Sequence, residues 1–508
     1  MQRPALDILQ ISTADVLGGA ERVAYELHRS YRRLGHRSRL LVGRRRTDDP
    51  DVQLLTHEHA GDPWRRFWWR RHARLQPNFT TTRGARWLAR WYQRLAEPAG
   101  WLDTLRGVED FHYPGAWDLL DRLPRRPDII HAHNLHGKYF DLRALPQWSR
   151  VAPLVLTLHD AWLMTGHCAH SMDCTRWQSG CGGCPDLSIY PAIRRDATAR
   201  NHRRKADIFR QCRCYVATPS RWLMDRVHRS ILAPAILDAK VIPNGVDTTV
   251  FHPGDPLAAR DALRLPKNAD ILLFAAYGIT KNTFKDYETL RAAATRLGKQ
   301  ADQRAADRPL LILALGDDGP SQRVGRAEIR LIPHVSNPHI VAEYHRAADF
   351  YVHASKADTF PTSILEAMAC GRPVVATAVG GIPEQVVCLE GRTRGQNEAT
   401  GLLVPPGDAD AMASGIDRLL GDDALRSRLG RNAARRVDAM YRLETQVEAY
   451  LNWYEAITGR HIRSPATAQE QSEKQHERVG KKHPDKRRDA GDQPGPRKPE
   501  VVAQGTPQ

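Results

Sequence analysis

Short apolar runs recur along the first half of the chain: LDILQIS (6–12), RSRLLVG (37–43), DIIHAH (128–133), LVLTLHD (154–160), CYVATPS (214–220) and KVIPNG (240–245). Each spans too few residues for a stable helix and reads as a buried strand. Between them the period changes. In AERVAYELHRSYRRLG (20–35), Val23, Leu27, Tyr31 and Leu34 recur at helical spacing, and Gly35 supplies a C-terminal stop. A second series follows: ILLFAAYG (271–278), LLILALG (310–316), IRLIPH (329–334), FYVHAS (350–355), PVVATAV (373–379) and GLLVPP (401–406). Helical patterns intervene again, at YETLRAAATRLG (287–298) and SILEAMACG (363–371). Strands alternating with helices predict an α/β protein with parallel sheets. Two series predict two Rossmann-like, doubly wound domains, 1–245 and 246–440. They join near PNGVDTTVFHPGDP (243–256), rich in Pro, Gly and Asp. Open α/β sheets bind ligands outside the carboxyl ends of their strands, so two facing domains predict a cleft between them.

Length agrees: 508 residues exceed what one hydrophobic core usually serves. No apolar run approaches the roughly 18–20 residues of a membrane helix. The start runs directly into a strand pattern without the features of a signal peptide, so a cytoplasmic location is expected. The formal net charge of +17 leaves nucleic acid, anionic lipid and phosphorylated substrates open as partners. No helix-turn-helix, RNA-recognition or finger motif supports nucleic acid.

Two segments break the alternation. Within an insertion at 60–100, residues 64–94 hold nine arginines and five tryptophans. Helices with Trp on one side and Arg on the other suit an anionic membrane surface, which would place the protein peripherally on the inner face of the plasma membrane. The alternative is an exposed insertion whose tryptophans pack on the domain. Residues 461–508 are poor in apolar side chains, with ten basic and seven acidic residues, and read as a disordered basic tail.

The chemistry concentrates in DTFPTSILEAMACGRPVVATAVGGIPEQV (358–387). Phe360, Pro361, Thr362 and Ser363 sit where a loop becomes a helix, and free N–H groups at a helix start attract phosphate. Glu366, one turn inside, can accept hydrogen bonds from sugar hydroxyls. Gly380 and Gly381 permit close backbone approach. The chain here resembles the retaining glycosyltransferases of family 4, which have the GT-B fold. The resemblance extends over LGGAERVAYEL (17–27), HAHN (131–134), HD (159–160), IPNGVD (242–247), GGIPE (380–384) and GLLVPPGD (401–408), and so over most of residues 5–455. It is nearest to members that build bacterial surface polysaccharides, such as colanic-acid-type transferases.

The resemblance implies roles. Glu366 holds the nucleotide ribose. Asp358, standing where the family has a longer Glu, contacts the transferred hexose. Lys285 neutralises the donor diphosphate; the family's partner arginine is missing, and Lys281 is its substitute. Gly18 and Gly19 form a loop against the diphosphate. His159 lies beside the sugar and donates to a hydroxyl, and Asp160 orients it or caps a helix. Glu384 lies near the donor pocket or caps a loop. The helix around VEAYLNWYEAI, within 441–460, packs back on the first domain. No catalytic metal is expected. The implied activity is retaining transfer of a hexose from a nucleoside diphosphate sugar to a growing surface polysaccharide or lipid-linked oligosaccharide. An epimerase or phosphorylase on the same fold, and a degenerate donor-binding protein, remain as alternatives.

Within 167–185, Cys168, Cys174, Cys181 and Cys184 have Cys-x5-Cys-x6-Cys-x2-Cys spacing. Four thiolates suit a structural zinc ion, with His167 and His170 as substitute ligands. Free thiols and disulfides are the other readings.

Overall fold

The computed structural model describes residues 5–16, 18–75, 84–300, 308–325, 327–390 and 396–459. The expected tail, 461–508, lies outside them. The first seven strands are β1 (Asp7–Ala14), β2 (Arg37–Arg44), β3 (Val52–Leu54), β4 (Ile129–Ala132), β5 (Leu154–Thr157), β6 (Cys214–Thr218) and β7 (Ile236–Val241). They form one parallel sheet in the order β3-β2-β1-β4-β5-β6-β7. The second seven are β8 (Asp270–Ala275), β9 (Leu310–Leu315), β10 (Gln322–Val324), β11 (Ala327–Ile332), β12 (Phe350–His353), β13 (Val374–Thr377) and β14 (Gly401–Val404). Their order is β10-β11-β9-β8-β12-β13-β14, and among the described strands only the edge pair β10–β11 is antiparallel. β1 is buried along its whole length, as are β4, β5, β9, β12 and β13. Helices cover both faces, which is why these segments read as unbroken apolar runs rather than as alternation.

The strand order reverses direction between β1 and β4 in the first sheet, and between β8 and β12 in the second. At such switch points neighbouring connections diverge to opposite faces and leave a crevice at the carboxyl edge. The two crevices hold nearly every residue considered below.

The helix Leu443–Thr458 returns to the first sheet. Its Val447, Tyr450, Leu451, Trp453 and Tyr454 are buried in one cluster with Leu6, Ile8, Leu27 and Tyr31. Polar atoms fix its rotation: the Tyr450 hydroxyl lies 2.8 Å from Thr157 Oγ1, and the Tyr454 hydroxyl 2.7 Å from His131 Nδ1.

The insertion folds as the helices Pro63–Leu75, Ala85–Ala96 and Pro98–Leu105; residues 76–83 lie outside the described part. Trp69 is buried against His57 and Tyr113, whereas Trp64, Trp87 and Trp91 are exposed. Packing on the domain thus accounts for only part of its aromatic content. No helix among the described residues is long and apolar enough to cross a membrane.

Candidate functional site

The carboxyl ends of β1, β4 and β5 build one wall of the site. β1 runs into Asp15, whose buried carboxylate accepts N–H bonds from Val16 at 2.9 Å, Arg46 at 3.0 Å and Thr47 at 2.7 Å. This ties the loop after β1 to the loop after β2. Gly18 then precedes the helix Gly19–Arg33, and its N–H donates to Glu21 Oε2 at 3.1 Å. Burial raises the Glu21 carboxyl pKa. A Cβ on Gly19 would stand 3.7 Å from Thr362 Oγ1, so the bare Gly19 backbone faces the second domain.

The same wall carries a chain of imidazoles. His133 Nε2 lies 3.2 Å from Gln10 Oε1, and His133 Nδ1 lies 3.1 Å from His159 Nε2. The amide oxygen can only accept, so His133 carries its proton on Nε2 and accepts at Nδ1 from His159. In that tautomer His159 donates from Nε2 and keeps its lone pair on Nδ1. Burial lowers the His159 pKa to about 4, so the ring is neutral near pH 7. Asp160 does not orient His159. Its Oδ2 lies 2.7 Å from His136 Nε2, and its Oδ1 accepts from the Trp162 N–H at 2.9 Å.

The opposite wall comes from β8, β12 and β13. Lys285 and Asp358 form an ion pair in the mouth of the second crevice. Lys285 Nζ also lies 3.4 Å from Ser355 Oγ, and His353 Nε2 lies 3.3 Å from Asp358 Oδ2. Burial alone would raise the Asp358 pKa, but Lys285 and His353 outweigh it and hold the carboxyl well below its usual range. The helix Thr362–Ala369 begins four residues later, with Pro361 as its N-cap. Phe360 is buried, and its carbonyl accepts from Asn244 Nδ2 at 3.0 Å; the Pro361 carbonyl accepts from Gln385 Nε2 at 3.0 Å. The loop that presents Thr362 and Ser363 is thus pinned from two sides. Glu366, on this helix, pairs with Arg22 of the first domain at 3.2 Å, and His345 Nε2 lies 3.6 Å away.

The structure accordingly gathers Gly19, Lys285, Asp358, Thr362, Ser363 and Glu366 at one edge, with His159 joined to it by the Thr359 hydroxyl, which donates to the His159 carbonyl at 2.7 Å. Two expected donor residues stand apart. Lys281 is exposed on the turn after β8, toward Asp317. Glu384 accepts the N–H groups of Arg221 and Trp222 at 2.9 and 2.8 Å, so both its oxygens cap the helix Arg221–His228. Gly380 and Gly381 serve the protein's own backbone. A Cβ on them would sit 1.7 Å from the Asp358 carbonyl oxygen and 2.0 Å from the Thr359 carbonyl oxygen.

Arg22, Glu21, His136 and His353 escaped sequence reasoning as site residues, and His170 was read only as a substitute metal ligand. His170 packs against Phe284 with ring centroids 4.6 Å apart, and carries the cysteine loop over to the second domain beside Lys285. Cys168, Cys174, Cys181 and Cys184 are four free, partly exposed thiols. His167 Nε2 lies 3.4 Å from Cys184 Sγ. Among the described residues no group of three or more His, Cys, Asp or Glu side chains is placed to hold a metal ion, so the thiols as they stand form neither a tetrahedral set nor disulfides.

A model of glycosyltransferase family 4 matches residues 17–250, and a model of glycosyl transferases group 1 matches residues 321–436. D-inositol 3-phosphate glycosyltransferase 1 of Catenulispora acidiphila is 30% identical over 349 residues, 66% of this chain and 71% of that protein. The putative colanic acid biosynthesis glycosyl transferase WcaC of Escherichia coli is 25% identical over 350 residues, 65% of this chain and 77% of that protein. A D-inositol 3-phosphate glycosyltransferase of Kineococcus radiotolerans is 34% identical over 207 residues, a match that spans 47% of that protein. Among solved structures, sucrose-phosphate synthase of Thermosynechococcus elongatus superposes with a TM-score of 0.54 at 20% identity, covering 89% of this chain and 99% of that one. Anabaena Alr3699/HepE, in complex with UDP and glucose, gives 0.55 at 16% identity, covering 88% and 99%. With two facing Rossmann-like sheets and family matches on both of them, the chain belongs to glycosyltransferase family 4 and has the GT-B fold.

Proposed function

We propose that this protein transfers a hexosyl group, with retention of anomeric configuration, from a nucleoside diphosphate sugar to a hydroxyl of a growing surface polysaccharide or lipid-linked oligosaccharide. The observation that carries the reading is the convergence of Lys285, the N-terminus of the helix Thr362–Ala369 and the bare Gly19 backbone on one edge. A departing diphosphate needs such cations and unpaired N–H groups. Glu366 would accept from the ribose hydroxyls, and Asp358 from a hydroxyl of the hexose. In the reaction the bond from the anomeric carbon to the diphosphate oxygen breaks. The acceptor oxygen bonds to that carbon on the same face, and its proton passes to the leaving phosphate oxygen. No side chain is required as nucleophile. One relative, named for colanic acid biosynthesis, supports a glycan acceptor, whereas others are named for D-inositol 3-phosphate.

Thermal unfolding with UDP, GDP, ADP and their sugars tests this. A ligand at a hundredfold excess over its Kd adds about 2.7 kcal/mol to stability. One base should raise the midpoint, and Glu366→Ala and Lys285→Ala should each reduce that shift. No shift with any nucleotide, in a folded sample, would overturn the reading. Anomer-resolved NMR of the product then tests retention.

A further inference from the structure

The insertion turns the usual arrangement of a helical hairpin inside out. On the helix Ala85–Ala96 the buried residues are Ala85, Ala89 and Ala96. The large side chains Trp87, Trp91 and Leu95, spaced four apart on one stripe, face outward. Trp87 is 65% exposed, and Trp64 on the neighbouring helix 58%. A hairpin built for water places small polar groups outside and bulk inside. These exposed rings form a single patch. The Trp64 Nε1–H donates to the Leu95 carbonyl at 2.9 Å, which seats Trp64 beside the end of that stripe. Arg94 lies over both Trp91 and Trp101, 5.0 and 5.9 Å from their centroids, and extends the patch to the next helix.

Within residues 64–94 the charge has one sign, and at the edges Asp62 and Glu97 pair with Arg65. Residues 64–94 contain nine arginines and no Asp or Glu. Arg86, Arg90 and Arg94 each precede a member of the Trp87–Trp91–Leu95 stripe by one position, so a basic stripe flanks the apolar one. Arg70, Arg71, Arg74, Arg86 and Arg90 are exposed. Tryptophan favours the headgroup level of a bilayer, where its ring is buried and its N–H stays wet, and arginine favours anionic headgroups just outside. Nucleic acid would also attract the arginines, but the aliphatic Leu95 and Leu102 in the same patch offer bases no stacking face.

The patch is attached where an acceptor would enter. The insertion follows the carboxyl end of β3, and in a parallel sheet that end shares an edge with the ends of β1, β4 and β5. Its return passes through Glu109, whose carboxylate accepts from Trp162 Nε1 at 2.6 Å and pairs with the buried Lys205 ammonium. Trp162 directly follows the Asp160–Ala161 step beside His136.

We infer that the Trp/Arg hairpin is a docking surface for an anionic lipid bilayer, holding the cleft of the first domain at the headgroup level. The supply of a lipid-linked acceptor rests on the transferase reading above; the docking surface does not. The test uses the full chain and sedimentation with vesicles of phosphatidylcholine, with or without about 30 mol% phosphatidylglycerol. Binding to the anionic vesicles should exceed that to the neutral ones by about tenfold or more and weaken with salt. The variant Trp64→Ser/Trp87→Ser/Trp91→Ser should lose about tenfold in binding, while its unfolding midpoint and its response to nucleoside diphosphates stay unchanged. Replacing Arg70, Arg86 and Arg90 by Ser should remove the preference for anionic vesicles. Failure of wild type to bind either vesicle overturns the inference. So does undiminished binding by the Trp variant, single-stranded oligonucleotide binding that vesicles do not displace, or a stable dimer that the Trp substitutions dissolve. None of these outcomes bears on nucleotide binding, so a failed transferase reading would show separately.

Discussion

Arg22 and Glu366 lie 344 positions apart in the chain and meet across the cleft, guanidinium Nη1 to carboxylate Oε1 at 3.2 Å. The pair joins the first helix of one domain to the nucleotide-facing helix of the other. Glu366 is buried, and burial by itself would raise its pKa; His345 and Arg22 together hold it below its usual value. Arg22→Ala would leave that carboxylate with His345 alone. Removing one partner of a buried pair costs several kcal/mol, and the 31% exposure of the Arg22 side chain reduces this to about 1 kcal/mol. Urea unfolding should show that loss. The double variant Arg22→Ala/Glu366→Gln should recover part of it, because no unpaired charge remains buried. Strict additivity of the two substitutions would show that the pair is not coupled.

Glycines in the site separate into two kinds, with opposite consequences for substitution. Gly19 has room: an added Cβ meets only Thr362 Oγ1, at ordinary contact distance, 3.7 Å. Gly381 has none, since a Cβ would lie 2.0 Å from the Thr359 carbonyl oxygen and 2.7 Å from Ser220 Cβ. Gly19→Ala should therefore keep the unfolding midpoint within a degree or two, and still weaken nucleoside diphosphate binding by putting a methyl group between the backbone and the phosphates. Gly381→Ala should lower stability by about 2 kcal/mol or more with or without nucleotide. Thermal scans of both variants with a nucleotide titration distinguish the two. A Gly19→Ala protein with wild-type nucleotide affinity would remove Gly19 from the donor site.

The twelve apolar runs of the sequence correspond to twelve of the fourteen strands, and the two missed strands show why the rest escaped. β3 and β10 have three residues each and lie at sheet edges, where VQL and QRV bury at most one side chain. KVIPNG was displaced for a related reason. β7 begins at Ile236 and has no fully buried residue, so its apolar signal starts only at its end. The site was legible where a contiguous motif carries it: Thr362, Ser363 and Glu366 share one helix turn and its approach. Arg22, His170 and the His133–His159 contact are set by strand order and domain closure, between residues tens to hundreds of positions apart. Local spacing holds no record of such pairs. The capping partners of Glu384 were illegible for the same reason, because the N–H groups of Arg221 and Trp222 belong to the other domain.

Histidines set the acid limb of stability. Burial lowers the folded-state pKa of His28 and His159 to about 4, and of His57 and His131 to about 3. In the unfolded chain each takes up a proton near pH 6.5, before the folded protein does. Stability should therefore fall as pH drops from about 6.5 toward 4, by up to about 1.4 kcal/mol per pH unit for each histidine. His136 opposes this. Burial would lower its pKa, but Asp160 outweighs that and raises it, so its contribution is full below about pH 6.5 and disappears as pH rises through the folded value. Glu21, Glu26, Glu97 and Asp270, whose carboxyl pKa values burial raises, act with His136. His36, His72, His133, His170, His202, His334 and His353 are lowered by burial like the four above. The lowered histidines outnumber the opposing groups, so the net slope is positive with pH. The depressed carboxyls of Asp358, Glu366 and Asp160 add nothing in this window; their contribution is lost only below about pH 4. Urea midpoints at pH 7.5, 6 and 5 should decline in that order, and equal midpoints would contradict the buried neutral rings.

The cysteine loop makes the last prediction, because its two chemical states respond oppositely to the same reagents. As free thiols, burial pushes Cys168 up to about 12 and Cys181 up to about 11. Only the thiolate is alkylated, and each unit of pKa removes a factor of ten from its population. Relative to the unfolded chain at pH 8, Cys168 should then react with iodoacetamide slower by about a thousandfold and Cys181 by about a hundredfold. Peptide mass mapping over time reads both. A chelator should leave these rates, and the unfolding midpoint, unchanged. A zinc ion would hold the same sulfurs as thiolates and shield them from alkylation, so a chelator would expose them and labelling would accelerate. About one zinc per chain in the purified protein, together with chelator-triggered labelling of Cys168, Cys174, Cys181 and Cys184, would show that the loop closes around a metal and that the four-thiol arrangement is its empty form.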